Sequence, residues 1–140
     1  MQIEIGRALL GGLIAAVIWF VIGGILYMNP FIAKIYKSAE DSPAIKKWGS
    51  TPVYLGLQFV GILAQCILWA SVFIVVEPVL PGGALAKGFV FAHVLFVIKI
   101  FPRFFDMWIQ TTYPEKLLGI EFVNGAISCL VIGFVFAYTL

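Results

Sequence analysis

Beyond Lys87 at its start, one long apolar run, residues 85–109, contains four side chains able to carry charge or bind a ligand, His93, Lys99, Arg103 and Asp106. A charged group near the middle of a bilayer costs about 2.5–3.5 kcal/mol on insertion scales, so such residues face protein or water and point by default to function. At 100° per residue, Lys99, Arg103, Asp106 and Gln110 lie within about 60° of one another as a single polar stripe, and His93 stands about 120° from Lys99. The stripe has the chemistry of an ion-pair network or of a path for an anion or protons. A neutral imidazole beside Phe89, Phe91 and Phe96 suits axial ligation of a haem or chlorophyll-type pigment, or else a plain hydrogen bond to Gln58, Gln65 or a backbone carbonyl.

The elements that must position these residues follow from composition. Hydrophobic residues make up 62% of the 140 and charged residues 11%, more apolar surface than a soluble domain of this size can hide. A spanning helix needs about 20 mostly apolar residues, and the chain offers 8–28, 52–76, 85–109 and 117–140. Spans of a transmembrane barrel would alternate apolar and polar side chains over roughly ten residues, whereas the first two runs are almost continuously apolar. The first run exceeds the 7–15 apolar residues typical of a signal sequence and has no small-x-small site after it, so it is read as retained. The expected fold is an all-α integral membrane protein, one domain of four transmembrane helices.

Lysine and arginine set the orientation. The 29–51 connection carries Lys34, Lys37, Lys46 and Lys47, and the turn after the third run carries Lys116, with Arg103 nearby. The other side holds only Arg7 and Lys87. Both termini are therefore expected outside the cytoplasm. Tyr27, Phe31, Tyr36, Trp48, Tyr54, Trp108 and Tyr113 gather near the cytoplasmic boundary, where amphipathic rings favour the headgroup level. A net charge of +2 gives no reason to expect nucleic acid as a partner.

In the first connection, Asn29-Pro30 reads as a helix start, an N-cap followed by proline. Phe31, Ile32, Ile35 and Tyr36 then share one face opposite Lys34 and Lys37, the pattern of a short interfacial helix. Asp41-Ser42-Pro43 predicts a further helical turn through Lys47.

Gly23-Gly24, Tyr27, Pro30, Phe31, Lys34 and Tyr36 resemble the pattern of a family of small bacterial four-helix membrane proteins of unknown function: glycine, then Trp-Tyr, then Phe-x-Lys-x-Trp. The fourth run, from Leu117 through Glu121, Asn124-Gly125 and Gly133, is similar to that family's small-residue-rich last helix. Leu26 before Tyr27, Tyr36 in place of tryptophan, and the charged third run depart from the pattern. The resemblance implies the four-helix architecture in a bacterial inner membrane and no established activity.

Pro102 cannot donate to the Ile98 carbonyl, so a kink or a new segment is expected there. Either the kink leaves a carbonyl free beside Lys99 and Arg103 for a local site, or the span ends near Phe101 and Arg103 and Asp106 lie in a cytoplasmic amphipathic extension to which Lys99 snorkels. Reflecting the third and fourth helices about their short connection brings Asp106 level with Glu121 and Arg103 level with Asn124. Lys99, Arg103, Asp106 and Glu121 then sum to zero charge, as burial demands. On this reading Glu121→Ala alone harms the fold more than Glu121→Ala with Arg103→Ala, because it strands a buried cation.

Gly125, Cys129, Gly133 and Ala137 recur every four residues as a ridge for close helix approach. Gly11 with Ala15, and Gly12 with Ala16, offer a counterpart within the chain or in a second copy. No Gly-rich phosphate loop, catalytic triad spacing or Cys/His metal cluster occurs, and Cys66 and Cys129 read as small packing residues. The expected role is a non-catalytic accessory subunit, as a homo-oligomer or in a larger membrane complex. The alternatives are a small transporter or channel, or a pigment-binding subunit ligated by His93. No cofactor is otherwise expected.

Overall fold

The computed structural model describes residues 4–140. Its elements are α1 (Ile5–Met28), α2 (Pro30–Ser38), α3 (Thr51–Val76), a 3-10 turn (Glu77–Val79), α4 (Ala84–Leu95), a π-helical turn (Phe96–Ile100), α5 (Phe101–Gln110) and α6 (Glu115–Thr139). α4, the π turn and α5 form one continuous rod, so four helices are each long and apolar enough to cross a bilayer.

Local chemistry sets the boundaries. Asn29 adopts an extended backbone, as the residue before a proline prefers, and so ends α1. Its Oδ1 accepts from the Phe31 N–H at 2.9 Å and caps α2. The helical turn expected over 41–47 is absent: Ser42 forms an isolated turn, its Oγ accepting from the Ala44 N–H and its carbonyl from the Ile45 N–H. One turn with nothing to pack against does not offset the cost of helix nucleation. Gly82, at φ 77, supplies the left-handed turn before α4 that other residues resist.

Pro102 widens its rod. An α-helical turn would drive the proline ring into the Ile98 carbonyl, but the preceding segment takes i→i+5 bonding, with the Phe101 N–H donating to the Phe96 carbonyl. The extra residue absorbs the clash, and the angular register across 96–100 is no longer 100° per residue.

α1 and α6 pack together at the centre, with α3 against α1 and α4 against α6. The ridge on α6 is consumed inside the chain. A Cβ at Gly133 would stand 2.5 Å from the Gly88 carbonyl oxygen and 2.9 Å from Ala92 Cβ, and one at Gly125 would meet the Ile100 side chain. On α1 the small residues receive other neighbours than the ridge: Gly12 lies against Ile67 of α3 and Gly11 against Leu140. Phe73, Phe91 and Phe136 join α3, α4 and α6 with ring centroids 5.0–6.1 Å apart. Cys66 and Cys129 are buried free thiols in this core. Outward, Leu10, Ile25, Val60, Leu68 and Phe89 are exposed, an apolar surface suited to lipid.

Candidate functional site

The 29–51 and 111–114 connections lie at the same end of the bundle, where α2 packs on α6 and a shallow groove brings Ala44 beside Met107, Gln110 and Tyr113. The polar residues converge there. Phe104 packs against Phe122 with tilted rings, centroids 4.6 Å apart, and so marks the face of α5 that meets α6. Arg103, on the flank of that face, reaches over to place Nη2 3.4 Å from Glu121 Oε2. The Tyr113 hydroxyl donates to Glu121 Oε1, so both carboxylate oxygens are engaged by the chain itself.

Tyr113 is positioned by the turn that ends α5. Thr111 Oγ1 donates to the Met107 carbonyl at 2.7 Å and accepts from the Tyr113 N–H at 3.2 Å. Burial, then the hydrogen bond to Glu121 and its charge, push the Tyr113 phenol above its ordinary value of 10.0. Burial, followed by the nearby Tyr27, Glu121 and Tyr113, likewise pushes Tyr36 up. Tyr27 and Tyr36 meet edge to face at 5.7 Å. Tyr113, protonated at neutral pH, is the phenol that donates to Glu121, and the Tyr27–Tyr36 pair stands near the same carboxylate.

The stripe expected from the sequence is therefore divided. Arg103 and Glu121 come together, one turn away from the register that reflection about the connection suggests. Asp106 is exposed and makes no ion pair among the described residues; two residues beyond Phe104, it lies about 200° around the helix from the packed face. Gln110 is exposed at the rim of the shallow groove. Asn124 is buried at 3% exposure, its Nδ2 without a hydrogen-bond partner, and has Tyr27, not Arg103, as its polar neighbour.

Lys99 projects from the π turn, half buried. Its charged or polar neighbours are Cys129, Cys66 and Arg103, with no carboxylate among them. The zero-sum cluster of four charges is thus one ion pair plus a separate lysine and a separate aspartate.

His93 stands on the exposed face of α4, away from the buried Ala92 and Leu95, and its imidazole makes no hydrogen bond among the described residues. Gln58 and Gln65 are themselves exposed on α3 and do not reach it. The three phenylalanines beside it diverge, with Phe91 in the core and Phe89 60% exposed, so a pigment held by His93 would sit outside the bundle. No group of three metal-ligating side chains occurs among the described residues.

Tyr113 was visible in the sequence only as a boundary aromatic. Its place at the centre of the turn, within a side chain's reach of any acidic residue in the first two turns of α6, was the signal for its role. Comparison with family models, curated proteins and solved structures returns no match for this chain.

Proposed function

We propose that this chain is a non-catalytic, multi-pass protein of a bacterial inner membrane, acting as an accessory or oligomeric subunit, in which Arg103, Tyr113 and Glu121 lock the last two spans into a rigid hairpin. The observation that carries the reading is the occupancy of Glu121: Arg103 and Tyr113 of the same chain take both of its oxygens. A carboxylate so engaged is a brace. It is not a free base, since both of its oxygens are engaged.

The surplus of lysines on the 29–51 and 111–114 side supports a cytoplasmic placement of that end, with both termini outside. The resemblance of the Gly23–Tyr36 segment to small bacterial four-helix membrane proteins is part of the same proposal. Because the α6 ridge is buried against α4, assembly with a second copy or another subunit uses a different surface. The best supported is α3, packed mainly on α1, which presents Val60, Leu68 and the uncrowded Gly61 outward. Cross-linking of a Leu68→Cys variant, with Cys66 and Cys129 replaced by serine, tests this in native membranes. A covalent dimer or a defined heteromer supports a subunit role, and a chain that stays uncross-linked and monomeric in solution contradicts it.

One observation favours a second reading, transport of an anion or protons. Lys99 is half buried on a π turn within the third apolar rod, without a carboxylate beside it, and such turns and such charges are frequent at functional sites. Anion uptake into liposomes that is lost in Lys99→Met would support it.

A further inference from the structure

Between α2 and the first turns of α6 runs a groove of about 350 Å³, within the range of small-ligand sites. Phe31 and Ile32 form one wall, and Ile120 and Val123 the other. Gly119 lines it with no neighbour within 4 Å of where a Cβ would stand. Lys116 lies at its outer end and Asn124 at its inner end, about 12 Å apart along α6 at 1.5 Å per residue, a distance that a flexible lysine side chain can shorten.

Two polar features give this apolar groove a direction. Asn124 is 3% exposed and its Nδ2 makes no hydrogen bond of ordinary geometry, with the Tyr27 side chain as the polar group beside it, so this buried amide is left under-satisfied. It stands beside Tyr27, where α1 passes into the boundary helix α2. That is the level at which a bilayer presents ester carbonyls, which accept hydrogen bonds and cannot donate them. Lys116, with the exposed Lys34 and Lys37 of α2 on the same side, supplies positive charge where the phosphates lie.

We propose that this groove holds one anionic phospholipid, with its phosphate against Lys116, an ester carbonyl accepting from Asn124 Nδ2, and an acyl chain along Phe31, Ile32, Ile120 and Val123. The site is independent of the brace reading, because none of these residues belongs to the Arg103, Tyr113 and Glu121 contact.

The test is native mass spectrometry of the full chain in detergent with equal phosphatidylglycerol and phosphatidylcholine. One retained phosphatidylglycerol per chain is expected, favoured over phosphatidylcholine about fivefold, the preference that one lysine confers near an anionic surface. Lys116→Gln brings the two lipids to parity without lowering total retention, and Asn124→Leu lowers retention of both. Gly119→Leu fills the groove from a position where a side chain meets no neighbour, so the fold survives and the lipid is lost. Equal retention of both lipids by the parent overturns the proposal. So does retention unchanged in Gly119→Leu, or a Gly119→Leu variant that alters oligomeric mass and not lipid content, which would make the groove a protein interface.

Discussion

Arg103 and Glu121 join α5 to α6 at 3.4 Å, yet their exposures are unequal: the arginine side chain is 65% exposed and the glutamate 24%. The cation rests on the outside of the hairpin and the anion is held within it. Removing either partner therefore has different consequences.

With Glu121 gone, Arg103 is not stranded, because most of its side chain is already exposed. Exposed pairs couple by about 0.2–1 kcal/mol, so Glu121→Ala and Arg103→Ala should be close to additive, with a coupling under about 1 kcal/mol in a double-mutant cycle of thermal unfolding. This revises the expectation that the double variant is the milder one. A double variant more stable than Glu121→Ala would restore a buried, stranded cation.

Tyr113→Phe removes a hydroxyl that donates to a carboxylate. Hydrogen bonds to charged groups are worth about 1.5–3 kcal/mol, so this small change should destabilise more than Arg103→Ala does. Its effect should largely vanish in a Glu121→Ala background, and equal losses in both backgrounds would show that the phenol acts elsewhere.

The phenols also set a pH window. Tyr36 and Tyr113, both outside the spans, have folded values raised above the ordinary 10.0, so the folded state holds these protons more tightly than the unfolded state does. Their contribution is fully present below pH 10 and is lost as pH rises through the higher folded values. The thermal midpoint should stay level to about pH 10 and then fall, with a shallower fall in Tyr113→Phe. A midpoint that rises in that range would reverse the sign.

Gly133 and Gly61 make a matched pair for packing. A Cβ at Gly133 meets the Gly88 backbone at 2.5 Å, whereas one at Gly61 meets nothing within 4 Å. Gly133→Ala should cost about 1–3 kcal/mol through overpacking against backbone that cannot move aside. Gly61→Ala should be neutral or stabilising by up to about 1 kcal/mol through helix propensity. Denaturant unfolding in detergent compares the two directly, and equal effects would mean that α4 and α6 do not approach so closely.

Much of the fold was legible because its signals are local. Apolar runs of bilayer length mark the four long helices, and Asn29-Pro30 marks α2 together with the alternation of Phe31 and Ile32 with Lys34. What escaped reading depends on distant neighbours. A proline inside a helix announces trouble but not its remedy, and the π turn before Pro102 shifts the angular register of Lys99 relative to α4 and His93. Reflection about a connection locates Glu121 only to within a turn, and it ignores side-chain length: the expected Arg103–Glu121 pair forms because the long arginine spans that offset, while the shorter Asp106 is left exposed outside it. Tyr113 carried no charge to draw attention, although its hydroxyl completes the contact.

The most direct measurement is proton flux through liposomes containing the parent protein or Glu121→Gln, with thermal stability recorded on the same samples. A structural brace predicts no flux above protein-free vesicles in either case and a lower unfolding midpoint for Glu121→Gln. Parent-dependent flux that Glu121→Gln abolishes while the midpoint stays unchanged would contradict it, and would make Glu121 a proton carrier.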